Sequence, residues 1–196
     1  EVVEGTLEPP RILSGVPPGT LRLTGENARL ARYIGLYAGK VGILAVLGRL
    51  LADDVPSFVD AFYDNILSHP ELKRLIETHS SIERLKTTLH RYVTRLFCGT
   101  VDDEYVRERM RIGKTHGIIG LQPHWYVGAY GTLQSLVIAS LRAKLETEDL
   151  AVAVDAFMSI INFDMAVTFV TFHEYLMSQV QHAQYQLSEQ LQQLQG

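Results

Sequence analysis

The chain has 196 residues, of which 46% are hydrophobic and 20% are charged, which is enough to bury one substantial core. Its net charge of -4, with no basic tract, gives no electrostatic reason to expect a nucleic-acid partner. A single cysteine, Cys98, excludes an internal disulfide and is typical of a reducing, cytoplasmic compartment. The chain begins at Glu1 and carries no signal peptide, so we expect it to be part of a longer protein.

The chain divides by composition into three parts. Residues 1–25 are rich in proline and glycine and show no apolar period, which predicts a flexible N-terminal extension. From Glu26 onward the apolar residues recur at helical spacing, and no stretch shows the alternation that is typical of strands. The sequence therefore predicts an all-α domain over residues 26–178 and a helical or coiled-coil linker over residues 179–196.

Proline, glycine and capping residues separate the predicted helices. We expect Asp54 to cap the third helix, with Pro56 in its first turn, and Ser80 or Ser81 to cap the fifth. The predicted ranges are approximately 26–38, 40–53, 54–69, 71–78, 81–98, 102–116, 123–144 and 148–194.

Two apolar stretches, residues 34–51 and 150–172, are long enough to be mistaken for membrane spans. The second carries Asp155, Asn162 and Asp164, and carboxylates in the middle of a span are costly in hydrocarbon. The first is interrupted by glycines and basic residues. We therefore expect both stretches to be buried helices of a domain without a membrane span.

The last helix changes character near its end, where glutamines flank a narrow apolar seam. Such a seam is typical of a two-stranded coiled coil that leaves a domain. Its members recur at spacings of three and four and are Leu176, Val180, Ala183, Leu187, Leu191 and Leu194.

His116 is the strongest candidate for a functional residue. It shares a helical stripe with Tyr105, Arg109 and Ile112, and Tyr126 opens the helix that follows. Such a histidine is either a core residue satisfied by hydrogen bonds or a metal ligand, and haem needs only one protein ligand. A ligating histidine also needs a partner for its other nitrogen, which Tyr126 or a carbonyl of the preceding turn would supply.

Tyr63 and Thr88 lie on apolar helix faces and have two interpretations each. Tyr63 either bonds to the backbone or donates to a ligand held at a metal. Thr88 either bonds back to its own helix or adds a second polar group over that ligand. His79 is either a turn histidine or the partner of a cofactor carboxylate. The other histidines and Cys98 show no spacing typical of a zinc, di-iron or nucleophilic site.

Four stretches of the chain carry a specific pattern of residues. They are DAFYDNI (60–66), HSSIERLKTTLHRYV (79–93), DDEYV (102–106) and IGKTHGIIGLQPHWYVGAY (112–130). Together they resemble the globin domain of the globin-coupled sensor family, in particular its aerotaxis-transducer type, over roughly residues 30–178.

The resemblance implies a globin fold with an extra N-terminal helix and haem b as the cofactor. On the proximal side it implies His116 as the iron ligand, with a supporting hydrogen bond from Tyr126. It also implies a sensor rather than an enzyme: a homodimer joined through its last two long helices, which binds oxygen reversibly (and also carbon monoxide or nitric oxide) and signals to a C-terminal output domain.

On the distal side, the resemblance implies four further site residues. Tyr63 is expected to donate a hydrogen bond to bound oxygen, helped or replaced by Thr88. Leu85 is expected to line the pocket, and His79 to lie near the haem propionates.

Two other functions compete with the sensor hypothesis. The first is a globin enzyme that acts on nitric oxide or peroxide, but this needs electron input and the chain has no flavin or nicotinamide module. The second is a globin-fold signalling module without haem, against which the presence of His116 argues.

Overall fold

The structure is a computed structural model that describes residues 11–195, with side chains to residue 193. Within these residues eight α-helices follow one another through short connections, and a 3₁₀ turn, Ala52–Asp54, joins the second to the third. The predicted all-α class is confirmed. The helices are α1 Gly25–Ile34, α2 Ala38–Leu51, α3 Val55–Leu67, α4 Pro70–His79, α5 Ile82–Leu96, α6 Asp103–Ile118, α7 Pro123–Lys144 and α8 Thr147–Gln195.

Two helix starts are set by capping side chains. Ser81 accepts a hydrogen bond from the backbone N–H of Arg84 at 3.3 Å. It is therefore Ser81, and not Ser80, that caps α5. Asp102 accepts from the backbone N–H of Tyr105 at 2.9 Å and so opens α6. Each cap satisfies a backbone donor that has no partner within the helix, which explains why these boundaries are visible in the sequence.

Asp54 does not cap α3 in the predicted way. It ends the 3₁₀ turn, and its carboxylate instead accepts from the Ser140 hydroxyl at 2.6 Å and pairs with Lys144 at 3.1 Å. These two contacts reach across to α7, and together they lower the pKa of Asp54. The Asp54 carboxylate therefore binds side chains of α7 and not, as the local sequence pattern had predicted, the backbone N–H groups at the start of α3.

Two three-residue strands depart from the predicted all-helical pattern. β1 (Thr20–Arg22) and β2 (Thr100–Asp102) pair in parallel, with Leu21 opposite Val101. A strand of three residues is too short to show an alternation of apolar and polar positions, so the sequence pattern did not indicate it. The buried side chain of Val101 joins the pair to the core.

Residues 11–22, which we call the N-terminal strap, pack against the body of the domain. The Leu13 side chain is only 6% exposed and belongs to the core. The backbone N–H of Ile12 donates to the Asp149 carboxylate, near the start of α8, at 2.8 Å. The strap therefore connects the first turn of α8 with the strand pair.

The strap also approaches α2 closely. The backbone N–H of Gly19 donates to the carbonyl of Ala38 at 2.7 Å, and a side chain at Gly42 would collide with the carbonyl of Pro17. The expectation of a flexible extension over residues 1–25 is therefore not met from residue 11 onward. Residues 1–10 of that prediction lie outside the described residues.

Helix α6 lies against α8 at close range, because glycines face α8. A Cβ atom at Gly113 would collide with the carbonyl of Thr168, and one at Gly117 would lie 2.5 Å from the ring of Tyr175. The two helices can approach this closely only where one of them lacks side chains. This contact fixes the position of the last turns of α6, which carry His116.

Both apolar stretches are core helices. In α2 the side chains of Val41, Leu44, Leu47 and Leu51 are fully buried. α8 is long and apolar enough to be mistaken for a membrane span, but half of its most apolar window is buried inside the protein. From residue 176 to 193 every side chain of α8 is exposed, so this last part of the helix lies outside the domain body.

The packing of the strap predicts that Leu13→Ala lowers the free energy of unfolding by about 2 kcal/mol, because it removes a buried side chain. Ile12→Ala is the matched control: Ile12 is 48% exposed, and we expect a loss below about 0.5 kcal/mol. Urea unfolding of the two variants measures both values. Equal, small losses would show that the strap is not part of the core.

Candidate functional site

His116 lies in the last turns of α6 with its ring partly buried. Its Nδ1 lies 2.9 Å from the carbonyl oxygen of Ile112, one turn earlier. Because a carbonyl oxygen only accepts hydrogen bonds, Nδ1 carries the ring proton and the lone pair is on Nε2. This is the tautomer that binds a metal through Nε2. The sequence left two partners open for this nitrogen, Tyr126 or a carbonyl of the preceding turn, and in the structure it is the carbonyl of Ile112.

The surroundings of His116 also keep its ring neutral. Burial lowers the pKa of His116, and the hydrogen bond to Ile112 only partly opposes this. A neutral ring at neutral pH means that no second proton competes for the lone pair on Nε2.

Tyr126 supports His116 by packing rather than by a hydrogen bond. The two ring centroids lie 4.9 Å apart, and Tyr126 is buried. Its hydroxyl lies 2.9 Å from the hydroxyl of Tyr130. The hydrogen bond that the resemblance implied between Tyr126 and His116 is therefore absent, since the Nδ1 proton is held by the backbone of α6.

Tyr63 lies on α3 with its ring buried to 7% exposure and packed edge-on against Phe62. Burial raises the pKa of Tyr63 to about 12, so its hydroxyl remains protonated at neutral pH. Among the hydrogen bonds within residues 11–193 none involves this hydroxyl, and the hydroxyl is not among the fully buried polar atoms that lack a partner.

The other three predicted site residues differ in their surroundings. Leu85 on α5 is partly buried and packs against the core, whereas His79, the last residue of α4, is exposed. Thr88 is exposed, and its hydroxyl donates to the carbonyl of Arg84 at 2.9 Å. That is the backbone alternative that the sequence left open for Thr88. The structure thus brings α3 and α5 together, and of the hydroxyls of Tyr63 and Thr88 only that of Thr88 is bonded to the backbone.

A buried cluster that the sequence pattern did not indicate includes two residues of α6 that lie two and three turns before His116. We call it the Asp164 cluster, and its members are Asp164, Arg109, Tyr92 and Tyr105. Arg109 is 2% exposed and Asp164 is 0% exposed, and Nε of Arg109 lies 2.7 Å from Oδ2 of Asp164. The hydroxyls of Tyr105 and Tyr92 donate to the same carboxylate at 2.6 and 2.9 Å.

The tyrosines of the Asp164 cluster also hold the guanidinium in place. The guanidinium carbon of Arg109 lies 4.3 Å from the ring centroid of Tyr92 and 4.2 Å from that of Tyr105, in cation–π contact with both. Burial lowers the pKa of Arg109, but the Asp164 carboxylate together with Tyr105 and Tyr92 raises it overall, so the charge is retained. Among the side chains that the structure describes, Nη2 of Arg109 is buried without a hydrogen-bond partner.

A chain of tyrosine hydroxyls connects this cluster with the His116 site. The hydroxyls of Tyr126 and Tyr130 lie 2.9 Å apart, those of Tyr130 and Tyr92 lie 3.4 Å apart, and Tyr92 donates to Asp164. Because the carboxylate accepts from Tyr92, its charge favours hydroxyl protons that point toward Asp164 and away from His116.

Two signals for the Asp164 cluster were present in the sequence. Arg109 and Tyr105 share the helical stripe of His116, and Asp164 lies in the middle of an apolar helix. The first places His116 on its helix face, and the second argues against a membrane span. Neither reveals that the two charges meet, since 55 residues separate them.

With this geometry established, comparison with known proteins assigns the family. The family profile described as Protoglobin matches residues 24–178. The chain belongs to the protoglobin family. The chain is also 28% identical over 158 residues to the heme-based aerotactic transducer HemAT of Halobacterium salinarum, a match that covers 75% of this chain and 32% of the transducer.

Two solved structures share the fold of this protoglobin-family domain. The globin domain of a Geobacter sulfurreducens globin-coupled sensor superposes with a TM-score of 0.70 at 19% identity, over 74% of this chain and 96% of that one. The ferric globin domain of E. coli DosC gives a TM-score of 0.63 at 12% identity, over 72% and 96%. The predicted globin fold and the resemblance to globin-coupled sensor globin domains are confirmed.

The backbone hydrogen bond of His116 predicts its behaviour in the haem-free domain. We expect the ring to be protonated on Nδ1 and its titration midpoint to lie below the ordinary histidine value, because burial lowers its pKa. Tyr126→Phe removes only the hydroxyl bonded to Tyr130 and should leave the tautomer unchanged. Imidazole ¹⁵N NMR measures both quantities. A shift of the proton to Nε2 in the variant would mean that the Tyr126 hydroxyl orients the ring after all.

Proposed function

We propose that this domain binds haem b through Nε2 of His116 and is a gas sensor rather than an enzyme, with oxygen as its ligand and carbon monoxide and nitric oxide as further ligands. The observation that carries the proposal is the hydrogen bond from Nδ1 of His116 to Ile112, which leaves the lone pair on Nε2 in a chain of the protoglobin family. The similarity to a heme-based aerotactic transducer supports it.

The proximal residues fit a haem group. Ferrous haem, when bound, would supply reversible binding of a diatomic gas, and it needs only one residue of the protein to hold it. His116 offers a neutral imidazole of the right tautomer, and the backbone of α6 together with the ring of Tyr126 holds its orientation.

On the distal side we assign the hydrogen-bond donor to Tyr63. Its hydroxyl is protonated and makes no hydrogen bond in the described part of the chain, whereas the Thr88 hydroxyl is bonded to its own helix. Leu85 contributes an apolar wall, and the exposed His79 is available to the haem propionates at the edge of the domain.

For the assembly we propose a homodimer through α7 and α8 that passes its signal to a C-terminal output domain. The support is the last part of α8, where apolar side chains that include Leu176, Val180, Leu187 and Leu191 are exposed on a helix that leaves the body. An apolar stripe of this length is stable in water when a second helix covers it. The chain spans about a third of the length of the transducer, which leaves room in such a protein for an output domain.

The proximal assignment predicts that His116→Ala abolishes haem binding, because it removes the axial ligand. Titration of haem into the purified haem-free domain, followed by the Soret band, measures this. His124→Ala is the matched control, since His124 is exposed beside Trp125, and its Soret band should equal that of the parent. An unchanged Soret band in His116→Ala would exclude His116 as the ligand, and its absence in the parent would favour the haem-free signalling module.

The distal assignment predicts that Tyr63→Phe increases the oxygen dissociation rate roughly 10-fold, which corresponds to the loss of about one neutral hydrogen bond. Thr88→Val should change the rate little, because its hydroxyl is already bonded to Arg84. Stopped-flow or flash photolysis measures both rates. The reverse order of effects would assign the distal donor to Thr88.

A further inference from the structure

The Asp164 cluster lies at the contact between α6 and α8, which is the most extensive contact between two helices in the described chain. On α6, Gly113 follows Arg109 by four residues, and on α8, Thr168 follows Asp164 by four. Arg109 meets Asp164, and Gly113 meets the carbonyl of Thr168. Two contacts, one turn apart on both helices, therefore define one relative position along their axes.

Each of these contacts resists a different movement. A slide of α6 along α8 by one turn, about 5.4 Å, would take the 2.7 Å bond between Arg109 and Asp164 out of range. The two charges would then be buried apart from each other, which is strongly unfavourable. A rotation would bring a side chain into the space now left by Gly113, where none fits.

His116 is tied to the Asp164 cluster by two independent routes. Along α6 it lies two turns beyond Arg109, with an unbroken helix between them. Through the side chains, the ring of Tyr126 that packs against His116 is linked by the hydroxyls of Tyr130 and Tyr92 to Asp164 itself.

We propose that Arg109 and Asp164 are positioning residues that lock α6 to α8, so that a displacement of His116 on gas binding moves α8 as one body with α6. This rests on the proposed function, since it takes His116 as the residue that gas binding displaces. α8 continues from Asp164 without a break to Gln195, so the locked pair passes the movement directly to the exposed end of the helix. Coupling of this kind needs a discrete contact with a preferred arrangement, which a buried ion pair provides.

The chain offers a matched control for the test. Lys40 is also buried, and its Nζ lies 2.9 Å from Asp155 and 2.8 Å from the Ser159 hydroxyl, so it forms an ionic contact between α2 and α8. Lys40→Met removes a buried charge whose ion-pair and hydrogen-bond partners both lie on α8. The test variant is Arg109→Met with Asp164→Leu, which removes both charges and retains apolar bulk, since such replacements are often tolerated. Asp164→Asn is a second variant that preserves the size of the side chain.

The experiment is hydrogen–deuterium exchange with mass spectrometry on the purified chain, in the haem-free, haem-loaded and carbon monoxide-bound forms. In the parent and in Lys40→Met, carbon monoxide should change exchange in the peptides of both α6 and α8. In the two lock variants the response of α6 should remain, while that of α8 should fall below about one-fifth of the parent value. A uniformly loosened structure would alter both peptides equally, so the loss confined to α8 is specific to the lock.

The haem-free form separates this proposal from the proposed function. Without haem, α6 amides should exchange about 10-fold faster in the double variant than in Lys40→Met, because the lock is made only of protein. A parent that binds no haem would refute the sensor function, and the haem-free comparison would still decide the lock. Three results would each contradict the lock. Carbon monoxide would leave the exchange of the α8 peptides unchanged in the parent, or it would change that exchange fully in both lock variants. The third result is equal haem-free exchange of α6 in the double variant and in Lys40→Met.

Discussion

A guanidinium and a carboxylate can be buried together only when each has partners, and this requirement organises the centre of the domain. Asp164 accepts hydrogen bonds from Arg109, Tyr92 and Tyr105, and the rings of the two tyrosines enclose the guanidinium. α5, α6 and α8 therefore meet at one carboxylate. Because a hydrogen bond tolerates only small changes in distance, the three helices have little freedom to shift independently there.

The His116 site combines a local element with a tertiary one. The tautomer of the ring is set by a carbonyl of its own helix, so it depends on nothing beyond one turn of α6. The position of the ring depends on Tyr126, which in turn belongs to the hydroxyl chain that ends on Asp164. Separate contacts thus determine which nitrogen of His116 carries the lone pair and how its ring is packed. This arrangement is compatible with a sensor domain.

The elements that could be predicted were those encoded within a few neighbouring residues. Helix starts at Ser81 and Asp102 follow from side chains that bond to a backbone N–H three residues later. Asp54 carries the same local pattern, but Ser140 and Lys144 on α7 bind its carboxylate instead. The packing of the strap could not be predicted for a similar reason. A composition rich in proline and glycine is typical of flexible segments, and it does not indicate which surface of the domain the segment packs against.

Apolar periodicity and a dense local motif suffice to predict the helical class, the resemblance to the family and His116 as the ligand candidate. The structure was needed to show that Tyr126 packs against His116 instead of bonding to it, and that Arg109 meets Asp164. Hydrogen-bond partners depend on distances of a few tenths of an ångström between residues far apart in the chain. Residue types and their spacing carry no such distances.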